Sequence, residues 1–89
     1  MDSTITKRHS ERVFSGNTFG VTRISMPAGD SLPEHISNQP ALLVILSGKI
    51  RYCDTSGQKE LGTGATHPIE AHSPHGLIAD TESVLLLIR

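Results

Sequence analysis

An all-β barrel or sandwich is the fold class this sequence predicts, on three observations. Eight glycines and five prolines interrupt the chain every few residues, leaving no stretch long enough for a helix. Two continuous apolar runs, residues 41–46 (ALLVIL) and 84–88 (VLLLI), are short and bounded by turn residues, so they read as buried strands rather than helical turns. Several other segments alternate apolar and polar residues with the period of a half-buried strand.

Taken in order, residues 1–12 are polar and read as a leader, frayed or exchanged as a strand with a neighbouring subunit. Residues 19–26 alternate, with Phe19, Val21 and Arg23 against Gly20, Thr22 and Ile24. The run 41–46 ends at Ser47-Gly48, and both faces of such central strands are expected to be covered. Residues 49–54 set Ile50 and Tyr52 opposite Arg51 and Cys53, and residues 58–61, 66–69, 76–79 and 83–88 complete the set. Ser47-Gly48 and Thr55-Ser56-Gly57 read as hairpin turns in which the glycines supply positive φ.

The chain of 89 residues is read as one domain. At this size folding buries only roughly 60–65% of the unfolded surface, so the core is thin. Cys53 is the single cysteine, which excludes an intramolecular disulfide and the cysteine-rich kind of structural zinc site. Self-association is the remaining route to stability, and a homodimer is expected. Eight basic against nine acidic residues, with three aromatics, provide neither a phosphate-neutralising patch nor a stacking platform, so nucleic acid is not an expected partner. The first residues lack the apolar core of a signal peptide and no apolar run reaches membrane length. No membrane association is expected, and the cytoplasm is the expected location.

Two histidines carry the functional signal. Gly29-Asp-Ser-Leu-Pro-Glu-His35 is followed thirteen residues later by Gly48, and Gly64 precedes Pro74-His75. Both histidines adjoin short strands and can meet only where a sheet folds back on itself. This split pattern resembles the small single-domain cupins, a resemblance that spans about residues 29–79 and implies a double-stranded β-helix or jelly-roll barrel. In cupins a first motif supplies two histidines and a glutamate, and a second supplies a histidine; metal-dependent members hold iron, manganese, nickel or zinc with these four. Gly29, His35 and Gly48 match the first motif, but Ser37 stands at its second histidine and Ala41 at its glutamate. Gly64 and His75 match the second, while Glu70, His72 and Ala79 occupy its proline, glycine and asparagine positions.

The resemblance therefore implies a reduced site. His35 and His75 are candidate ligands for one divalent metal, with His67 and His72 as the residues that could make up the number. Two imidazoles alone hold a first-row metal weakly. The alternative is a metal-free pocket in which neutral histidines orient a small molecule. On a strand, residue 37 shares a face with residue 35, so Ser37 is expected to aim a hydroxyl inward. Tyr52 is a candidate for the same role, and Leu43 and Ile45 are expected to line the barrel. Arg23 could clamp a carboxylate, although a solvent-facing arginine is the simpler reading. Glu34 and Glu70 could carry protons only if buried beside the histidines, and Cys53 is not expected to act as a nucleophile. The sequence thus predicts a small cupin-like domain that binds a metal ion or small molecule, with a minimal metal-dependent oxygenase or isomerase as the alternative.

Overall fold

In the computed structural model, which describes residues 5–89, the chain forms nine strands and no helix. They are β1 (His9–Ser15), β2 (Gly20–Met26), β3 (Ser31–His35), β4 (Ala41–Ser47), β5 (Lys49–Asp54), β6 (Gly57–Gly62), β7 (Thr66–Ile69), β8 (His75–Ala79) and β9 (Ser83–Ile88). Every pairing is antiparallel. One sheet has the order β1-β2-β9-β4-β7 and the other β3-β8-β5-β6. Having no helix at all, the described chain has none long and apolar enough to cross a membrane.

The strand alternation sorts the side chains as the sequence suggests. Ile24 and Met26 of β2, Leu43 and Ile45 of β4, Ile50 and Tyr52 of β5, Leu61, Ile69, Leu77, Ala79 and Leu85 form one buried cluster between the sheets. Within β5, Ile50 and Tyr52 are buried while Arg51 and Cys53 are half-buried on the other face. The outer face of the five-stranded sheet departs from the expected double cover. Leu42 is 37% and Leu46 45% exposed, and Val44, Val84, Leu86 and Ile88 are only partly covered within one chain.

Residues 9–12 of the expected leader run as the first half of β1 along β2 of the same chain, and every residue of β1 is exposed. The start of that leader, residues 1–4, lies outside the described residues. Strand β3, implied in the sequence reading only by placing His35 and Ser37 on a strand, carries Pro33. The proline is tolerated because β3 lies at a sheet edge, where a missing N–H breaks no ladder.

Of the two expected hairpins, one forms. Thr55-Ser56 joins β5 to β6, with Asp54 opposite Gly57 and Gly57 at φ 124°. Ser47-Gly48 instead carries the chain from one sheet to the other, since β4 and β5 belong to different sheets. Gly48 is required there on two counts. Its φ is 96°, and a Cβ would lie 2.5 Å from the Glu82 carbonyl oxygen and 2.7 Å from Ser83 Cα. The fully buried Ser83 secures this corner: its Oγ accepts from the Lys49 N–H at 3.1 Å and donates to the Thr81 carbonyl at 2.8 Å.

Candidate functional site

His35 is turned toward the barrel mouth by a bulge. Leu32 pairs with Leu77 and His35 with His75, so three steps along β3 face two along β8. The extra residue reverses the parity of β3, turning His35 rather than Glu34 toward the side occupied by Leu32. Gly76 sits beneath this bulge, where a Cβ would lie 3.0 Å from the Leu32 carbonyl oxygen and 3.3 Å from the Glu34 nitrogen. A Cβ at position 76 would require the bulge to shift by a few tenths of an ångström.

The two histidines pack edge to face with ring centroids 4.4 Å apart. His75 is buried, 5% exposed, and its Nδ1 lies 2.9 Å from the Ser73 carbonyl oxygen. His35 is exposed at the mouth, with Nδ1 3.3 Å from the Pro33 carbonyl. A carbonyl can only accept, so each Nδ1 donates, and each neutral ring keeps Nε2 as an unprotonated acceptor. The row of rings continues inward. Tyr52 stacks on His75 with centroids 5.9 Å apart and planes within 7°, and His67 packs against the far side of the row, 4.2 Å from Tyr52.

His67 faces inward because it pairs with the buried Leu43. Burial lowers its pKa below the ordinary 6.5; the Lys59 charge adds to that, and Asp54 opposes it. Burial raises the pKa of Tyr52, and the charges of Asp54 and Glu70 push the same way. Tyr52 and His67 line a separate depression with Asp54, Gln58 and Lys59, apart from the cavity walled by His35 and His75.

That cavity has mostly apolar walls: Ile24, Leu32, Ala41, Leu43, Ile69, Leu77, Leu85 and Leu87, with His35, Ser37, His75 and Arg89 as its polar members. Leu43 lines it as expected, whereas Ile45 is fully buried in the core away from it. It admits the centres of water-sized spheres over about 40 Å³, room for roughly three waters. Outside it lies an open depression of about 500 Å³ formed by His35, Ile36, Ser37, Asn38, Gln39, His72 and Arg89.

Ser37 lies beyond the end of β3 in a loop rather than on a strand. Its hydroxyl accepts from the Gln39 N–H at 3.2 Å, and its carbonyl accepts from the His72 N–H at 2.7 Å. His72 occupies a left-handed turn, φ 66°, and is exposed on the rim. Arg23 points away from the barrel and pairs with Glu11 of β1 at 2.6 Å, so it clamps nothing in the cavity. Glu34 and Glu70 are both exposed.

Arg89 is the residue sequence reasoning passed over. Its signal was legible: Ser83, Leu85 and Leu87 share the inward face of β9, and residue 89 continues that parity.

The donors present do not make a full metal cage. No group of three His, Cys, Asp or Glu side chains is gathered for a metal ion among the described residues. Where the resemblance implies a glutamate, Ala41 pairs with Ile69, and both are cavity walls without donors. His35 and His75 by themselves fall short of the three or four protein ligands such sites use.

The strand order, the paired sheets and the histidines at one end define a small cupin-type barrel. Solved structures agree. A cupin superfamily protein from Desulfitobacterium hafniense superposes with a TM-score of 0.88 at 17% identity, over 99% of this chain and 81% of that one. A conserved protein of unknown function from Streptococcus pyogenes gives 0.84 at 26% identity, over 92% and 72%. A cupin 2 conserved barrel domain protein from Leptotrichia buccalis gives 0.86 at 26% identity, over 99% of this chain and 43% of that one. No protein-family model matches the sequence, and no curated protein is significantly similar to it.

Proposed function

We propose that this cupin barrel is a binding domain for a small organic molecule, held between the apolar wall and the His35–His75 pair. The observation that carries this reading is the contrast across the cavity: donors and acceptors on one side, hydrocarbon on the other. Such a surface buries an apolar group and orients it with a few polar contacts. The free Nε2 atoms of His35 and His75 accept hydrogen bonds from a ligand hydroxyl or amide. The limited space selects a ligand, or a ligand segment, of a few heavy atoms.

A two-imidazole metal site completed by ligand or water oxygens is the second reading, favoured by the backbone carbonyls that orient both rings. Such orienting partners are typical of metal-ligating histidines. The test is a thermal-shift screen of small organic acids, alcohols and amides, in parallel with divalent metals and elemental analysis. Wild type and His75→Ala are compared throughout. The small-molecule reading expects organic ligands to raise Tm in wild type and not in the variant, without added metal. Stabilisation by a divalent metal alone, lost in the variant, transfers the assignment to the second reading. No response to either class in wild type removes both.

A further inference from the structure

We infer that the ligand of this pocket is an organic carboxylate, inserted apolar end first, with Arg89 holding the carboxylate at the mouth. The inference rests on the small-molecule reading above and narrows it to one charge class. Arg89 has a fixed position: its N–H donates to the Gly20 carbonyl at 3.0 Å and its carbonyl accepts from the Gly20 N–H at 2.8 Å. With the main chain pinned at both groups, the side chain leaves β9 on the inward face, and it lines both the cavity and the outer depression.

The guanidinium has little else to do. Its contact with another side chain is a long 3.5 Å bond from Nη1 to the Ser37 hydroxyl, and no ion pair forms at Arg89 among the described residues. The other arginines with assigned ion pairs differ: Arg8 meets Asp30, Arg23 meets Glu11 and Arg51 meets Asp80. None of the side chains lining the cavity or the depression is an aspartate or glutamate. A cation with donors to spare therefore stands over hydrocarbon, beside His72, Asn38 and Gln39, which can donate further hydrogen bonds.

A carboxylate answers each part of this arrangement. Its two oxygens match the planar fork of a guanidinium, and bonds between charged partners are stronger than neutral ones. A short alkyl chain fills the space of about 40 Å³ walled by the partly exposed Leu32, Ala41 and Leu87. A primary ammonium would instead be repelled by Arg89.

The experiment is calorimetric and NMR titration of protein with nothing fused after residue 89. The probes are the straight-chain carboxylates from propanoate to octanoate, each matched by its primary amide, with butylamine as the cationic control. In wild type a carboxylate of three to five carbons binds about tenfold more tightly than its amide, which corresponds to about 1.4 kcal/mol. Arg89→Gln abolishes that preference by weakening the acid far more than the amide, and Arg89→Lys retains part of it. Equal affinity for acid and amide in wild type overturns the carboxylate assignment and leaves the pocket standing. Preference that persists in Arg89→Gln overturns the role of Arg89. Failure of every probe to bind at millimolar concentration overturns the assignment together with the pocket reading beneath it.

Discussion

His35 against His75 and Tyr52 against His67 are both ring contacts made between strands, at 4.4 and 4.2 Å, yet they are held in different ways. The first pair is oriented by main-chain carbonyls at Nδ1 and stands in the cavity wall, where its Nε2 atoms remain available. The second is held by packing, and burial bears on its acid–base behaviour by lowering the His67 value and raising that of Tyr52. His67 is therefore disposed to stay neutral. The comparison separates two kinds of inward-facing histidine, one whose ring nitrogen a carbonyl orients and one held by ring packing.

Tyr52 touches His67 on one side and His75 on the other, so its removal should strike both pairs at once. Tyr52 is 3% exposed, and truncating a large buried aromatic to alanine costs about 3–5 kcal/mol. For a domain of this size that lowers Tm by more than ~12 °C, readable by circular dichroism. A drop below ~1 kcal/mol would mean that the row of rings is not a continuous support. Tyr52→Phe keeps the ring and should cost far less, since the hydroxyl makes no hydrogen bond among the described residues.

A smaller effect separates the members of the first pair. His75→Ala leaves the Ser73 carbonyl without its partner and should cost about 1–3 kcal/mol. His35→Ala, at the exposed mouth, should stay within about 0.5 kcal/mol apart from the ring contact. The double variant isolates that contact, for which an edge-to-face pair predicts about 0.5–1.5 kcal/mol of coupling. Zero coupling would reduce the pair to mere proximity.

The smallest effect is a pH dependence. Burial holds the folded-state pKa of His67 below 6.5, so on acidification the unfolded chain takes up this proton first. The stability tied to neutral His67 is complete above 6.5 and is lost as pH falls from there through the lower folded value. His67→Gln should therefore flatten the fall in Tm between neutral and mildly acidic buffer relative to wild type. An imidazole titration by NMR that returns a value above 6.5 for His67 would reverse the sign and end this account.

Period-two alternation, short continuous apolar runs and turn residues between them made seven of the nine strands legible. They also placed Tyr52 and Leu43 inside correctly, because those strands are regular. Regularity fails at β3, where the edge position rescues Pro33 and the bulge above Gly76 reverses the facing of one residue. No local pattern states which of Glu34 and His35 turns inward; that depends on what lies across the sheet. The join at Gly48 misled for a similar reason. A glycine with positive φ serves a hairpin and a change of sheet equally well, and the crowding against Glu82 and Ser83 comes from a segment far along the chain. His67 faced inward by register with Leu43, a pairing that spacing alone leaves open. Arg89 needed only the count from Leu85 and Leu87, but the segment read as a strand stops at Ile88.

The placement of residue 89 also matters for anyone who builds with this protein. Strand β9 delivers it to the cavity rim beside Gly20, whereas β1 begins at His9 opposite Ser25, toward the other end of the same sheet. A purification handle or reporter joined after residue 89 starts over the opening and would act as a stopper. Ile5, whose N–H donates to the Glu82 carboxylate at 2.7 Å, lies toward the opposite end, away from the mouth.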